Sequence, residues 1–396
     1  MAVIVQKYGG SSVADVDKIA QVAERVVATR REGHDVVVVV SAMGKTTDEL
    51  LSLARRSTAT IADGREAPRR ELDMLVSTGE RVTMALLSIA IHARGFEAIS
   101  FTGSQSGILT NDRHFDARII EVRPHRIEDE LARGRIVIVA GYQGMSYKRE
   151  ITTLGRGGSD TTAVALAAAL NAERCEIYSD VDGVYSADPR VVPDAKHLPT
   201  LDLAVLAEMA EAGAKVLNAQ AVEWARRSKV AIVARKTADV ANVRETIARE
   251  DEIASVADEN RNVRAIVGAR DVMLARTPAL PGFLAAAQAT ELAVGDIVAA
   301  KGEATVHIPL LNAPDFARCV KAIEQATAGT SRFEGPFAVV SVVGYGLTGA
   351  SNAVYRVLEI LGAVEALSAG PLRISATIPE AQLDDAQRAL HAAFVA

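Results

Sequence analysis

A glycine-rich stretch near the middle of the chain contains the residue types that phosphate and carboxylate chemistry requires. It reads Leu154-Gly155-Arg156-Gly157-Gly158-Ser159-Asp160 and leads directly into the apolar segment from Ala163 to Leu170. Glycines are unfavourable inside a helix, but they suit a loop whose amide groups converge on an anion, and the start of a following helix also attracts anions. Arg156 adds a planar cation for a carboxylate or a phosphate, and Asp160 adds an acceptor for an ammonium group. These features predict an amino acid held beside the phosphates of a nucleotide; the alternative is a tight turn whose glycines serve packing alone.

A second glycine turn follows the first predicted strand. Val3 to Val5 are typical of a buried strand, which ends in Lys7-Tyr8-Gly9-Gly10-Ser11-Ser12 before an amphipathic helical pattern. Strand, glycine turn and helix in this order favour phosphate binding, with Lys7 within reach of the phosphate. The alternative for Lys7 is a solvated lysine at the end of a strand.

Other polar residues also stand where predicted strands or helices end. Ser41 follows five consecutive valines, and Thr47 lies in a segment that resembles a capping box from Thr46 to Glu49. Side chains at the carboxyl ends of strands bind ligands in α/β sheets, although turn or capping duty explains each one equally well. Glu80 follows a glycine inside a helical pattern that starts near Arg69, and such a glycine usually has a packing or functional reason. The alternative to a functional role for Glu80 is a local ion pair with Arg81.

The segment after the predicted strand from Cys175 to Tyr178 is rich in turn signals. It contains Asp-Gly and Asp-Pro pairs and ends at Arg190. Within it, Tyr185 is suited to stacking on a base and Arg190 to pairing with a phosphate.

The order of the predicted elements indicates more than one domain. Strands and helices alternate over about 235 residues, which predicts an α/β fold with a mostly parallel sheet. Charged and polar residues then cluster between Arg244 and Arg264, as in a linker with some order. A βαββα order follows twice, in an internal repeat of about 65 residues that is typical of small ferredoxin-like modules. We place the predicted domains at residues 1–250, 262–330 and 336–396.

Composition excludes several classes of protein. The net charge of −6 over 396 residues argues against nucleic acid as the main partner. Cys175 and Cys319 are far apart and form no CxxC motif, which argues against a disulfide framework or a zinc site and fits the cytoplasm. The first residues do not have the pattern of a signal peptide, and no apolar run approaches the roughly 20 residues that span a bilayer. We therefore expect a cytoplasmic protein with no membrane partner.

Seven short motifs occur in an order and at spacings that resemble the aspartate kinases, a group of the amino-acid-kinase family with a C-terminal pair of ACT regulatory modules. The resemblance is close over residues 2 to 236 and looser beyond. The motifs are Lys7–Ser12, Ser41–Gly44, Thr78–Arg81, Phe101–Gly103, Gly155–Asp160, Ser179–Tyr185 and Asp188–Arg190.

The resemblance implies a three-layer α/β kinase domain with a mostly parallel sheet, two α+β ACT modules and a homo-oligomer assembled through these modules. It implies transfer of phosphate from MgATP to the β-carboxylate of L-aspartate, the first step toward lysine, threonine and methionine or a specialised product. The metal ligands stay open. Three alternatives are a kinase of another amino-acid carboxylate, a non-catalytic amino-acid sensor, and a subunit that needs a partner chain.

The resemblance also assigns roles to individual residues. Lys7 and Asp160 are the implied catalytic residues, with Lys7 neutralising charge on the transferred phosphoryl group and Asp160 meeting the substrate ammonium or holding Lys7. Arg156 is implied to bind a substrate carboxylate. Glu80, like Asp160, is implied to accept from the substrate ammonium or to hold Lys7 in place. The residues implied to orient the substrate are Ser41, Thr47 and Ser159. The residues implied to hold ATP are Lys7, Gly9, Gly10, Gly158, Ser179, Asp180, Tyr185, Arg190 and Lys215.

The ACT-like segments depart from the pattern that the resemblance leads us to expect. The loop Arg276–Gly282 keeps Pro281-Gly282 but has no aspartate before it, and the loop Gly344–Asn352 has neither an acid nor Pro-Gly. The later turn, Ser368–Leu372, lacks the polar residues of lysine- or threonine-responsive relatives. Because a buried zwitterion needs an acceptor for its ammonium, we expect weak or absent feedback inhibition. The alternative is that backbone carbonyls and Asn352 supply the contacts, so that inhibition persists.

Overall fold

The computed structural model of the chain describes residues 1–58, 67–214, 217–238, 244–250, 263–313, 315–348 and 352–395. It divides into two compact units. The first consists of Met1–Val184, Leu198–Leu206 and Val216–Glu252, and the second of Tyr185–His197, Ala207–Lys215 and Ile253–Ala396.

The first unit contains most of the predicted alternation of strands and helices. Its strands are β1 Val3–Tyr8, β2 Asp35–Val40, β3 Ala98–Phe101, β4 Ile108–Thr110, β5 Ile119–Val122, β6 Ile136–Ala140, β7 Gln143–Ser146, β8 Ile151–Thr153, β9 Arg174–Ser179, β12 Thr200–Asp202, β13 Ile232–Lys236 and β14 Glu245–Arg249. Two short strands, β10 Val184–Tyr185 and β11 His197–Leu198, each have one residue in either unit. Its helices are α1 Val16–Arg31, α2 Thr46–Thr58, α3 Arg69–Val76, α4 Thr78–His92, α5 His125–Ala132, α6 Gly158–Ala169 and α8 Ala219–Ser228, and α7 Leu203–Glu211 begins in it and ends in the second unit.

An eight-stranded sheet forms the centre of this unit, in the order β12-β14-β13-β9-β1-β2-β6-β3. Every neighbouring pair is parallel except β13 and β14. Residues Val36 to Val40 of β2 are fully buried because helices cover both faces, as the valine run predicted. Alternate valines pack against α1 and α4, and α6 packs on the other side against β1, β2 and β9, which gives the predicted three-layer α/β fold.

A smaller four-stranded sheet, in the order β5-β4-β7-β8, joins the glycine-rich stretch to the large sheet. β8 ends at Thr153, and the backbone of the next residue, Leu154, donates to the carbonyl of Tyr142 over 2.9 Å. The small sheet therefore fixes where the stretch begins, and α6 fixes where it ends.

One helical stretch, Arg69–His92, is long and apolar enough to cross a membrane by length and composition, so the expectation that no such stretch exists does not hold on these criteria. The stretch is two helices that meet at Ser77, and Leu87 and Ile91 of α4 belong to the core between the sheet and α1. Core helices of globular domains often pass the same test, so it is weak evidence for a span.

The second unit contains both copies of the βαββα order. The first copy consists of β15 Val263–Thr277, α9 Leu280–Ala289, β16 Ile297–Ala300, β17 Glu303–Pro309 and α10 Phe316–Ala326. The second consists of β18 Arg332–Gly344, α11 Asn352–Leu361, β19 Ala366–Ala369, β20 Arg373–Pro379 and α12 Leu383–Phe394. Together they form one six-stranded sheet, in the order β16-β17-β15-β18-β20-β19.

The two copies share the long strand β15. β18 of the second copy pairs with β15 along most of its length, from Val263 to Arg276, whereas β17 of the first copy pairs only with residues 272–277. Ile266 accordingly belongs to the hydrophobic core of the second copy, and Ala275 to that of the first. The modules are therefore interleaved at this strand, because a strand of 15 residues is long enough to serve two cores in turn.

The structure refines one local prediction and contradicts another. Glu245–Arg249, within the predicted linker, is a strand that pairs with both β12 and β13; residues 251–262 of that linker lie outside the described residues. Thr46 is the first residue of α2 and its hydroxyl donates to the carbonyl of Met43 over 2.7 Å, so it does not act as the predicted N-cap. The sequence also predicts a surface loop at residues 57–68, but Ser57 and Thr58 end α2, and residues 59–66 lie outside the described part of the chain.

Candidate active site

An ion pair joins the two glycine turns that the sequence singled out. Lys7 lies near the carboxyl end of β1, and Asp160 lies in the first turn of α6. Lys7 Nζ and Asp160 Oδ1 are 2.6 Å apart, with only 11% and 9% of their side chains exposed. Because both side chains are largely removed from water, the pair is held in one geometry. A cation fixed in this way can stabilise the charge of a transferred anionic group.

Glycine is required where these turns approach their neighbours. A Cβ on Gly10 would lie 2.9 Å from the carbonyl oxygen of Ala42, so glycine lets the turn after β2 lie against the turn after β1. Gly157, which precedes α6, has a φ of 76°, in the left-handed region that glycine adopts without strain.

Two of the three glycine amides predicted to contact phosphate are engaged elsewhere. Gly9 N donates to the carbonyl of Tyr178 over 3.2 Å, and Gly158 N donates to that of Gly155 over 3.0 Å. A contact between either amide and a phosphoryl group stays a prediction, and it requires sharing or exchange of these bonds.

Only one of the two carboxylate oxygens of Glu80 has a hydrogen-bond partner among the described residues. Glu80 lies in the first turn of α4, is 2% exposed, and accepts through Oε1 from the backbone of Ala42 over 3.2 Å. Its Oε2 has no hydrogen-bond partner within the described residues, and no ion pair joins it to Arg81 there. Burial raises the pKa of this carboxyl to about 7. A buried carboxylate with an open oxygen is a ready acceptor for an ammonium group.

Arg156 extends toward solvent while its backbone is fixed. Its side chain is 59% exposed, and Nη2 lies 3.4 Å from Oδ1 of the equally exposed Asp48. Its carbonyl accepts from Asn218 Nδ2 over 2.8 Å, and Asn218 Oδ1 also accepts from the amide of Gln220 at the start of α8. An exposed guanidinium presents a planar fork that matches a substrate carboxylate.

Asn218 was missed in the sequence, although an asparagine directly before a helical pattern is an N-cap signal.

The predicted substrate-orienting hydroxyls lie around the same sheet edge. Ser41 follows β2, and its amide donates to the carbonyl of Tyr8 over 3.1 Å. Ser159 is buried beside Gly141 at the end of β6, where an added Cβ would lie 2.7 Å from Ser159 Oγ. Thr47 is half-buried in the first turn of α2. Because β1, β2 and β6 are parallel neighbours, their carboxyl ends bring these groups to one place, as α/β sheets do at their ligand sites.

Comparison with known proteins identifies the fold and the family. Residues 2–235 match the model of the Amino acid kinase family. The chain belongs to this family.

Two relatives of similar length are both named aspartokinase. The aspartokinase of Mycolicibacterium smegmatis is 42% identical over 430 residues, covering 100% of this chain and 96% of that protein. The aspartokinase of Corynebacterium glutamicum is 41% identical over 411 residues, with the same coverage. Among solved structures, the aspartate kinase from Synechocystis is 33% identical with a TM-score of 0.56, covering 100% of this chain and 70% of that one. E. coli aspartokinase III in complex with aspartate and ADP is 24% identical with a TM-score of 0.86, covering 98% and 99%, and this likeness concerns the fold alone.

Tyr142, which the sequence did not single out, borders the glycine-rich stretch of this amino acid kinase. Its φ of 68° is unusual for a residue with a Cβ, and such strain clusters at functional sites. The backbone is held by two bonds, from Tyr142 N to Thr162 Oγ1 over 3.2 Å and from Leu154 N to its carbonyl over 2.9 Å. A Cβ on Gly158 would lie 3.1 Å from the Tyr142 ring, so the ring borders the glycine loop.

Asp73 was also missed, because nothing marks a buried acid in an amphipathic helix. It lies in α3, is fully buried, and accepts from Thr153 Oγ1 over 2.5 Å and Phe115 N over 3.0 Å. His114 Nδ1 lies 2.6 Å from its other oxygen. Burial raises the pKa of Asp73 to about 6, although the bonds from Thr153 and His114 act in the opposite direction. Asp73 thus ties α3 to the strand that leads into the glycine-rich stretch.

The predicted nucleotide-binding residues of this amino acid kinase are divided between the two units. Ser179 and Asp180 end β9 in the first unit, where Ser179 Oγ accepts from Val181 N over 3.2 Å. Tyr185 and Arg190 belong to the second unit: the Tyr185 ring meets His197 edge-on at 5.3 Å, and Arg190 makes two bonds to Asp188 of 3.0 and 2.9 Å. Lys215 lies outside the described residues.

Proposed function

We propose that the protein acts as an aspartate kinase, transferring the γ-phosphoryl group of ATP to the β-carboxylate of L-aspartate to give 4-phospho-L-aspartate. The observation that supports this proposal is the buried ion pair of Lys7 with Asp160 at the start of α6. Glu80, bonded to the backbone just after β2, and Arg156, in the loop that leads into α6, offer the charges that an amino acid needs. Full-length relatives named aspartokinase support aspartate as the acceptor.

The chemistry needs positioning more than proton transfer. The β-carboxylate is already ionised at neutral pH, so no base is required. One of its oxygens forms a bond to the γ-phosphorus while the bond from phosphorus to the bridging oxygen breaks, and ADP leaves with the electron pair. Negative charge builds on the oxygens around phosphorus, and the ammonium of Lys7, fixed by Asp160, is placed to neutralise it.

Arg156 and Glu80 supply the contacts that distinguish an amino acid from a simple acid. The guanidinium pairs with the α-carboxylate in a fork, and the open oxygen of Glu80 accepts from the α-ammonium. The three hydroxyl residues Ser41, Thr47 and Ser159 orient the β-carboxylate.

A magnesium ion fits the donor set of this chain as part of the nucleotide. Within the described residues, no group of three or more histidine, cysteine, aspartate or glutamate side chains is arranged to hold a metal. Mg²⁺ commonly binds through phosphate oxygens and waters with one or two carboxylates, and Asp160 and Asp180 are the carboxylates of the site that would hold it. Bound there, it would shield the charge of the phosphates.

A coupled assay that follows ADP release with L-aspartate and MgATP tests the proposal. We expect turnover with aspartate to exceed that with glutamate, a glutamate derivative or an aspartate analogue. Equal or faster turnover of another acid would establish the alternative kinase. No turnover of any acid, with amino-acid binding retained, would favour the sensor, and activity only with an added chain would favour the subunit.

Replacing Arg156 by lysine is expected to raise the KM for aspartate about tenfold or more, with a much smaller change in kcat, because lysine keeps the charge but loses the fork. Steady-state kinetics with aspartate varied at saturating ATP measure this. Arg123→Lys is the matched control, since Arg123 is similarly exposed and makes two bonds to Glu121 away from the site. An unchanged KM in Arg156→Lys would remove Arg156 from the substrate site.

Lysine and threonine are expected to inhibit weakly or not at all. In the loop Arg276–Gly282, the arginine already pairs with Glu334 at 3.3 Å, and the hydroxyl of Thr277 accepts from Ser331 and Ala279. Residues 349–351 of the second loop lie outside the described part. A dose–response at saturating aspartate and ATP checks this, and loss of more than half the activity at low-millimolar lysine, threonine or both would contradict it.

We also infer a cytoplasmic homo-oligomer assembled through the ACT-like modules. β16 is an edge strand of the six-stranded sheet, and each of its four residues is exposed. Because exposed strand edges pair readily with another strand, we expect a second copy of the chain to cover β16. Light scattering at micromolar concentration measures the oligomeric state. As the resemblance implies, 4-phospho-L-aspartate would enter amino-acid biosynthesis from aspartate, including that of lysine, or lead to a specialised product.

A further inference from the structure

Ser186 anchors the segment Tyr185–His197 inside the second unit. The residue is fully buried. Its amide donates to the carbonyl of Lys196 over 2.9 Å, and its hydroxyl accepts from the Lys196 amide over 2.8 Å, which closes the segment on itself. Its carbonyl accepts from Ile266 N of β15 over 2.7 Å. This segment is the part of the kinase motifs that carries Tyr185 and Arg190, both predicted to bind the nucleotide.

The last helix of the chain holds the same segment at three points. Ser186 Oγ lies 2.8 Å from Nε2 of His391, which is 2% exposed. Arg388 Nη1 donates to the carbonyl of Val191 over 3.3 Å, and Lys196 Nζ donates to the carbonyl of Val395 over 2.6 Å. Only the bond between Ser186 and His391 joins two buried side chains, so it is the contact that water cannot replace.

The choice of a histidine at this position is not explained by packing. Leu390 and Leu383 of α12 fill the core of the second copy, and a leucine or methionine at position 391 would bury more apolar surface than an imidazole. Instead, Nε2 of the imidazole forms a hydrogen bond with Ser186, about 200 positions earlier in the chain. A buried polar pair of this kind fixes one arrangement of the two segments rather than simply adding stability.

We propose that His391 is a positioning residue for nucleotide binding, which acts through Ser186 to hold the segment that carries Tyr185 and Arg190. The proposal rests on the proposed function, because that function assigns the segment to ATP. Without the bond, the segment loses its only buried side-chain anchor to α12 among the described residues, and Tyr185 and Arg190 must be ordered when the nucleotide binds. The ordering cost then appears as weaker nucleotide affinity, with little effect on aspartate.

Three variants of the full chain and one control test this proposal. His391→Ala and Ser186→Ala each remove the bond, and His391→Gln restores a polar group near the position of Nε2. His307→Ala is the matched control, because His307 is also buried in the second unit and bonds to Thr377 at 2.7 Å, but has no bond to the segment. ADP binding is measured by titration calorimetry, which needs no turnover, and KM values for ATP and aspartate are measured separately. Circular dichroism reports folding, and Ser186→Ala together with His391→Gln carries the test if His391→Ala does not fold.

We expect His391→Ala and Ser186→Ala each to weaken ADP binding and raise the KM for ATP about fivefold, the size of effect expected from losing one buried hydrogen bond. The KM for aspartate should stay within about twofold, the double variant should be no weaker than either single one, and His391→Gln should recover most of the affinity. Unchanged ADP binding in both single variants would overturn the proposal, as would an equal loss in His307→Ala or full additivity in the double variant. Wild-type chain that binds ADP but does not phosphorylate aspartate would refute only the proposed acceptor, whereas wild-type chain that binds no ADP would overturn both proposals.

Discussion

Alanine at position 7 or 160 is expected to lower kcat for aspartate phosphorylation by about 10² to 10³, with the fold unchanged. This is the range that removing one preorganised charge contact from a water-excluded site produces. Lys7→Ala removes the cation that meets the transferred phosphoryl group. Asp160→Ala leaves that cation without the carboxylate that fixes it at 2.6 Å. Single-turnover rates at saturating aspartate and ATP measure the effect, and circular dichroism checks the fold.

The chain provides a matched control for this pair. Lys148 and Asp112 are also 2.6 Å apart, but 72% and 58% of their side chains are exposed. Exposed pairs contribute little, so Lys148→Ala should retain normal kcat. Because Lys7 and Asp160 act as a unit, the double variant should be hardly slower than the worse single variant. Near-normal turnover in either single variant would refute the assignment.

Replacing Glu80 by glutamine is expected to stabilise the protein at pH 8 and to weaken its binding of aspartate. The folded protein raises the pKa of Glu80 from 4.5 to about 7, so folding favours the protonated carboxyl. Stability from this group is fully present below pH 4.5 and is lost as the pH rises through 7. The loss corresponds to about 3 kcal/mol at pH 8, and glutamine, which carries no charge, avoids most of it.

Urea unfolding at pH 5 and pH 8 measures this difference. Glu80→Gln should exceed wild type mainly at pH 8, and its bond from Ala42 N should persist because the amide oxygen is still an acceptor. The kcat/KM for aspartate should rise with pH through about 7 in wild type, as Glu80 becomes an acceptor for the substrate ammonium, and this rise should disappear in the variant. Glu121→Gln, at an exposed carboxyl, is the control. Equal stability of Glu80→Gln and wild type at pH 8 would contradict the raised pKa.

The sequence alone determined the features that depend on neighbours along the chain. Five valines in a row can form only a strand that is covered on both faces, and β2 is such a strand. Glycines after β1 and before α6 mark turns, because glycine adopts the left-handed conformation at Gly157 without strain and permits the close approach at Gly10. Parallel strands place their carboxyl ends together, so the sequence also implied that Lys7 and Asp160 belong to one site.

Only the tertiary structure decided the features that depend on residues far apart in the sequence. The segment Glu245–Arg249 reads as a linker because it is polar, yet it is a strand because β12 and β13 offer it edges. The interleaving at β15 has no local signal, since both partner strands, β17 and β18, come from later in the chain. Burial is the cause of three further features. These are the open oxygen of Glu80, the raised pKa of Glu80, and the bond between the Ser186 and His391 side chains. Burial depends on what packs around a residue, and the residue's own type and its neighbours in sequence do not specify it.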